Sequence, residues 1–209
     1  VNLLMPGLIN GHFHSAVNHM KVRLPSLPLE VFMLYECPEL DVLRPTPREA
    51  YLRTMLGCIE MLRSGTTSVQ DDCYFVPAPD PDIIDAVAKA YEDSGMRVRL
   101  ALDQPELSEL EKLPFLRDIL PEDLKRDLSA PTGAPASQLL ESYAHLIARW
   151  HGKAEGRIKA AVSCSAPQRV SPDYFARLDD LRLRHDLPFY AHMLETRLQR
   201  VFGDVCLQG

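Results

Sequence analysis

The stretch NLLMPGLINGHFHS, residues 2–15, governs how the rest of the chain is read. Asn2 to Asn10 is apolar around a central Pro6-Gly7 and ends at Gly11 and His12, as expected for a buried strand whose tip meets a site. Side chains alternate along a strand, so His12 and His14 point to one side while Phe13 faces away. Two imidazoles so placed can share one metal ion. An isolated HxH triplet is more often a chance event or a pair of satisfied polar residues, so its weight depends on the fold around it.

Beyond Ser15 the chain settles into a regular alternation. Thr46 and Glu49 form a capping box, Pro47 suits a first helical turn, and Leu52, Met55, Leu56, Ile59 and Leu62 recur at helical spacing up to Gly65. Thr66 to Asp71 reads as a second strand. Ile83, Ile84, Val87, Ala88 and Tyr91 mark a helix closed by Gly95, and Arg97 to Asp103 a third strand. Leu128 to Gln138, rich in Pro, Ala, Ser and Gly, reads as a surface excursion. The rhythm resumes with a helix over Leu139 to Trp150, a strand at Ile158 to Ser163, a helix from Ser171 and Pro172 to Arg184, and a strand at Leu187 to His192. Five strands alternating with four helices predict an α/β fold with a parallel sheet. A complete (β/α)8 barrel takes about 250 residues, so the chain fits the first five strands of one. The doubly wound alternative lacks a GxGxxG phosphate cradle at its first turn.

Barrel active sites lie at the C-terminal ends of the strands, and there the chemistry-bearing residues gather. His192 closes the apolar run LPFYA, with Glu195 three residues on; the plain alternative is a buried imidazole and an acidic residue favoured at a helix start. Gln70, Asp71 and Asp72 end the second strand, placed either to orient metal ligands by hydrogen bonds or to cap the next helix. His145, His151 and His185 belong to helices or their ends and read as solvated; His19 comes after the His12–His14 loop and is a candidate substrate contact.

Composition narrows the class. With 46% hydrophobic and 25% charged residues the chain can bury an ordinary core. A net charge of -6 gives no basic face for nucleic acid, while small neutral or cationic substrates stay open. No apolar run reaches the roughly 18 residues of a membrane helix, and no basic region precedes the opening segment, so the expected setting is the cytoplasm. Cys37, Cys58, Cys73, Cys164 and Cys206 are odd in number and never spaced as CxxC, and read as reduced core or loop residues.

PGLINGHFH, RSGTTSVQD, CSAPQRVS and AHMLET, in that order, resemble the landmarks of the amidohydrolase superfamily, most closely the branch of cytosine, guanine and S-adenosylhomocysteine deaminases and triazine chlorohydrolases. The resemblance covers nearly the whole chain. It implies a metal-dependent hydrolase with one divalent metal, zinc or iron, bound by His12, His14 and His192 with further ligation later, and Glu195 as proton shuttle. Binuclear members carry a carboxylated lysine at the end of the fourth strand, but Lys159 sits at that strand's opposite end. Deaminases of adenosine type read PHAPY after that strand; here Cys164 and Ser165 take the first two places and Gln168 the last, leaving Ser165 and Gln168 as candidate substrate contacts. LPLEVFMLYECPEL resembles the family's loop over the site without its tryptophan, and offers Tyr35 and Glu39 as further contacts.

The implied reaction is attack of activated water on a carbon-nitrogen bond outside peptides or a related bond, with deamination or dechlorination of a small heterocyclic amine. The alternative is a non-catalytic metal-binding or assembly module that keeps the barrel frame. Residues 1–209 would form an incomplete barrel domain, the remaining strands and a small β-domain lying elsewhere in a homo-oligomeric intact protein. Its first and fifth strands would then present raw edges and unpartnered apolar side chains.

Overall fold

The computed structural model describes residues 3–23, 26–36, 44–75, 80–112, 117–129 and 134–206. Strands and helices alternate in them: β1 (Leu8–Phe13), α1 (Leu29–Glu36), α2 (Pro47–Arg63), β2 (Thr66–Cys73), α3 (Pro81–Ser94), β3 (Arg97–Leu102), α4 (Glu109–Lys112), α5 (Glu122–Leu128), α6 (Ala136–Trp150), α7 (Lys153–Gly156), β4 (Ile158–Ala160), β5 (Val162–Ser163), α8 (Pro172–His185), β6 (Phe189–Tyr190) and α9 (Arg197–Cys206). The strand pairs are all parallel, in the order β1-β2-β3-β4, with β5-β6 beyond. The arc is that of an incomplete (β/α)8 barrel with helices outside.

The sequence shows why the helices begin where they do. Thr46 accepts from the Glu49 main chain while the Glu49 carboxylate accepts from the Thr46 N–H, a closed capping box at the head of α2. Asp80 and Ser171 cap α3 and α8 by a single side-chain bond each, accepting from the N–H groups of Ile83 and Tyr174, and each is followed by proline. Gly95, at φ +77°, ends α3.

Several elements differ from the sequence reading. The first strand begins at Leu8, not Asn2, because Pro6 has no N–H to pair and Gly7 lies so close to Thr67 that a Cβ would meet its hydroxyl at 2.2 Å. The fourth strand breaks at Ala161: its first half pairs with β3 and its second with β6, while the Ala161 N–H still donates to the Leu100 carbonyl at 2.8 Å. The fifth strand is only Phe189–Tyr190, extended by bonds from Val162 to the Pro188 carbonyl and from His192 to the Ser165 carbonyl.

α4, α5 and α7 have no counterpart in the sequence reading, α1 is a helix on the stretch read as a loop, and α9 follows the helix start that is the plain alternative at Glu195. α4 has its own capping box between Ser108 and Glu111, and it buries Leu110. Of the Leu128 to Gln138 excursion, residues 130–133 lie outside the described residues, and Ala136 already opens α6. His145 is half-buried, not solvated, because its Nε2 meets the Asp85 carboxylate at 2.8 Å.

The helical stripe of α2 points the opposite way from a core stripe. Leu52, Leu56, Ile59 and Leu62 are 40–52% exposed, whereas Ala50, Thr54, Gly57 and Cys58 are buried. Small residues are needed there: a Cβ on Gly57 would stand 2.4 Å from the ring of Phe13, which β1 turns toward the helix. Leu8 and Ile9 are also exposed, and β1 pairs only with β2 among the described residues. Apolar side chains thus lie open along the β1 side of the arc.

Tyr143 of α6 is fully buried between the ends of β3 and β5. Its hydroxyl donates to the Leu102 carbonyl at 2.7 Å and accepts from the N–H groups of Ser163 and Leu102 at 2.9 and 3.2 Å. Tyr143→Phe orphans these buried main-chain groups and is expected to lower the stability of the intact protein by about 1–3 kcal/mol in denaturant unfolding. An unshifted midpoint would show the hydroxyl to be dispensable.

Candidate metal centre

Strand alternation brings His12 and His14 to one face at the end of β1, with their Nε2 atoms 3.1 Å apart. The fifth strand delivers His192 to the same point: its Nε2 lies 3.3 Å from that of His14. Donor nitrogens of all three lie within 4.8 Å of one another.

The far side of each ring fixes its tautomer. His14 Nδ1 is 2.6 Å from the main-chain carbonyl of Asp72, and His192 Nδ1 is 2.8 Å from that of Ser165. A carbonyl only accepts, so both Nδ1 atoms carry a proton, and in the neutral ring each Nε2 is left as the bare lone pair. Two lone pairs facing each other at 3.3 Å repel, and a cation between them turns that repulsion into ligation. Partial burial, and after it the close approach of the His14 and His192 imidazoles, holds the His12 imidazole below its ordinary value and so favours the neutral form a metal ligand needs. The residues present therefore fit a divalent cation.

Ser165 presents its carbonyl through strain: with φ +62° its backbone is left-handed, and the carbonyl accepts both the main-chain N–H and Nδ1 of His192. Its side chain is buried, with the hydroxyl accepting from Arg169 at 3.2 Å.

The two acidic residues at the tip of β2 diverge by strand parity. Asp71 faces the helix layer, where it accepts from the Tyr91 hydroxyl at 2.7 Å and from the Ser15 N–H at 2.9 Å, fixing the chain just beyond His14. Asp72 faces inward, accepts from Ser163 Oγ at 2.7 Å, and is pushed well up by burial and by Asp103.

Glu195 is exposed beyond His192, and its charge acts on His12. Its N–H donates to the Gln199 side chain at 2.6 Å in the first turn of α9. His19 is exposed on the turn Ser15–Met20, held low by partial burial and by Arg53. Gln168 is half-buried on the turn Pro167–Arg169. Tyr35 lies in α1 with its side chain outside the described residues, as is the whole of Glu39. α1 is tied toward the strand ends by Thr196, which donates to Glu30 at 2.5 Å, and by Arg169, whose guanidinium meets Met33 Sδ at 2.8 Å.

Sequence reasoning misses Asp103 as a site residue. It directly succeeds β3, is 5% exposed, and has Oδ2 4.0 Å from His14 Nδ1. Its signal is the one that marks Asp72, an acidic residue closing an apolar strand. Cys58, Cys73 and Cys164 are free and buried; burial pushes the thiols of Cys58 and Cys164 up to about 11 and about 12, so they are poor thiolate ligands. No helix among the described residues is long and apolar enough to cross a membrane.

The chain is similar to several known proteins. A 5-methylthioadenosine/S-adenosylhomocysteine deaminase of Syntrophomonas wolfei is 30% identical over 197 residues, covering 94% of this chain and 38% of that protein. An 8-oxoguanine deaminase of Pseudomonas aeruginosa is 28% identical over 216 residues, covering 99% and 43%. The chain thus spans about two fifths of the length of these relatives. The crystal structure of an atrazine chlorohydrolase from Arthrobacter aurescens TC1 complexed with zinc superimposes with a TM-score of 0.74 at 22% identity, over 98% of this chain and 44% of that one. At that identity the likeness is one of fold. The amidohydrolase family model matches residues 3–200, all but the two ends, and the chain belongs to the amidohydrolase family.

Proposed function

We propose that the intact protein is a metal-dependent hydrolase in which His12, His14 and His192 hold one divalent cation, zinc in preference to iron. Its substrate is a small heterocyclic amine, deaminated or dechlorinated by water. The observation that carries this reading is the approach of the His14 and His192 Nε2 atoms to 3.3 Å, with each ring oriented by a carbonyl behind it. The names of the relatives, deaminases of adenosine derivatives and of 8-oxoguanine, support the reaction class.

A bound divalent cation lowers the pKa of water from about 15.7 toward 7. The protein's own groups do the rest. The carbonyls of Asp72 and Ser165 keep the two imidazoles in the ligating tautomer. Glu195 takes the proton from the attacking water and delivers it to the ring nitrogen or leaving group. α1 is held beside the strand ends by its bonds to Thr196 and Arg169.

In this reading residues 1–209 are the first five strands of the barrel. The rest of the intact protein supplies the remaining strands and a small β-domain, and covers the open apolar side chains of α2 and β1. The setting is cytoplasmic, in keeping with the free thiols of Cys58, Cys73 and Cys164, and the intact protein is a homo-oligomer.

The test is release of ammonia or chloride by the intact, zinc-loaded protein from a panel of purine nucleosides, free purines, pyrimidines and chlorotriazines. Turnover is expected with at least one class, abolished by chelation and restored by zinc. Zinc-loaded protein inert across the panel would overturn the reaction class.

A further inference from the structure

A second group of ligand atoms lies beside the three histidines, sharing His192 with them and adding two carboxylates that the chemistry above does not use. Asp72 ends on the inner face of β2 and Asp103 succeeds β3, the neighbouring strand; each is only 5% exposed. One carboxylate oxygen from each and a ring nitrogen of His192 lie within 4.8 Å of one another.

These carboxylates are poorly compensated. Asp72 Oδ2 accepts from Ser163, but Asp72 Oδ1 and Asp103 Oδ1 are buried with no hydrogen-bond partner. The one ion-pair contact of either, among the described residues, is His14 Nδ1 at 4.0 Å from Asp103. That nitrogen already donates to the Asp72 carbonyl. Two adjacent buried carboxylates with unmet oxygens demand a cation or a donor. A cavity of about 40 Å³ opens against Asp72, His12, Gln70 and His192, above the 10–15 Å³ or so that one water needs.

We propose that Asp72, Asp103 and His192 form an inner position for a hard divalent cation such as Mn²⁺, alternative to the all-histidine outer position. Two carboxylates and one imidazole suit manganese, whereas three imidazoles suit zinc. His192 Nδ1 is committed to the Ser165 carbonyl, so its single Nε2 lone pair serves one position at a time. Zinc in the outer position and manganese in the inner one therefore compete. The inference rests on the metal-centre reading only for that outer position.

The test uses the intact protein stripped of metal, with Mn²⁺ and Zn²⁺ as probes. Equilibrium dialysis and Mn²⁺ electron paramagnetic resonance are run on the wild type, His12→Ala and Asp103→Asn, with a melting curve for each variant. His12→Ala should keep its Mn²⁺ affinity while losing zinc, and Asp103→Asn should weaken Mn²⁺ by about 10-fold or more with a smaller effect on zinc. In the wild type, nitrogen couplings to bound Mn²⁺ should count one imidazole, and zinc should displace the Mn²⁺; this measurement stands even if a variant fails to fold. Three coupled imidazoles, or loss of both ions together in His12→Ala, would overturn the inner position and leave the outer one standing. Asp103-dependent Mn²⁺ binding in a protein that takes no zinc would instead overturn the outer position.

Discussion

Glu195→Gln in the intact protein is expected to lower turnover by roughly 10² to 10⁴-fold, the usual contribution of a positioned proton-transfer group, with zinc content nearly unchanged. The carboxylate stands three residues past His192, exposed, outside the group of three converging nitrogens. Its main chain is anchored to Gln199 in the first turn of α9, so the backbone should survive the change. Glutamine keeps the volume and a hydrogen-bonding oxygen, yet it cannot accept the proton. The comparison is kcat for wild type and variant at matched zinc content. A variant with undiminished kcat would remove Glu195 from the mechanism.

The second large effect concerns binding. Outer hydrogen-bonding partners of a metal site typically contribute about 10- to 100-fold in affinity, and His192→Ala, which removes a ligand outright, should exceed that in a chelator-competition assay for zinc. The loss has two parts: the Nε2 lone pair facing His14 disappears, and the Ser165 carbonyl loses its ring donor while still accepting the main-chain N–H at position 192. His145→Ala is the matched control, since that imidazole pairs with Asp85 on the helix layer. Equal zinc affinity in the two variants would detach His192 from the metal.

The pairing of His12 with His14 is legible because a strand repeats every two residues, so an HxH triplet at its tip needs no tertiary knowledge to be placed on one face. His192 is legible as the end of a short apolar run. The capping boxes are equally local, and Thr46–Glu49 closes as its spacing predicts. The left-handed Ser165 is hidden, because nothing in CSAPQ marks a position normally reserved for glycine.

The direction of α2 is hidden for another reason. Periodicity finds an apolar stripe but not the surface that receives it, and here Ala50, Gly57 and Cys58 are buried while the leucines stay open. Asp103 has the same local signature as Asp72, and only the pairing of β2 with β3 brings the two carboxylates together. α1 comes after two prolines, Pro25 and Pro28, and its eight residues form a helix too short for periodicity to reveal.

Zinc K-edge X-ray absorption on the zinc-loaded intact protein tests most directly whether these histidines hold the cation. The expected shell contains at least three imidazole nitrogens at about 2.0–2.1 Å, with the outer-ring scattering of imidazole diminished in His192→Ala. A shell of sulfur at about 2.3 Å, or one of oxygen alone without imidazole scattering, would contradict a metal centre built on His12, His14 and His192.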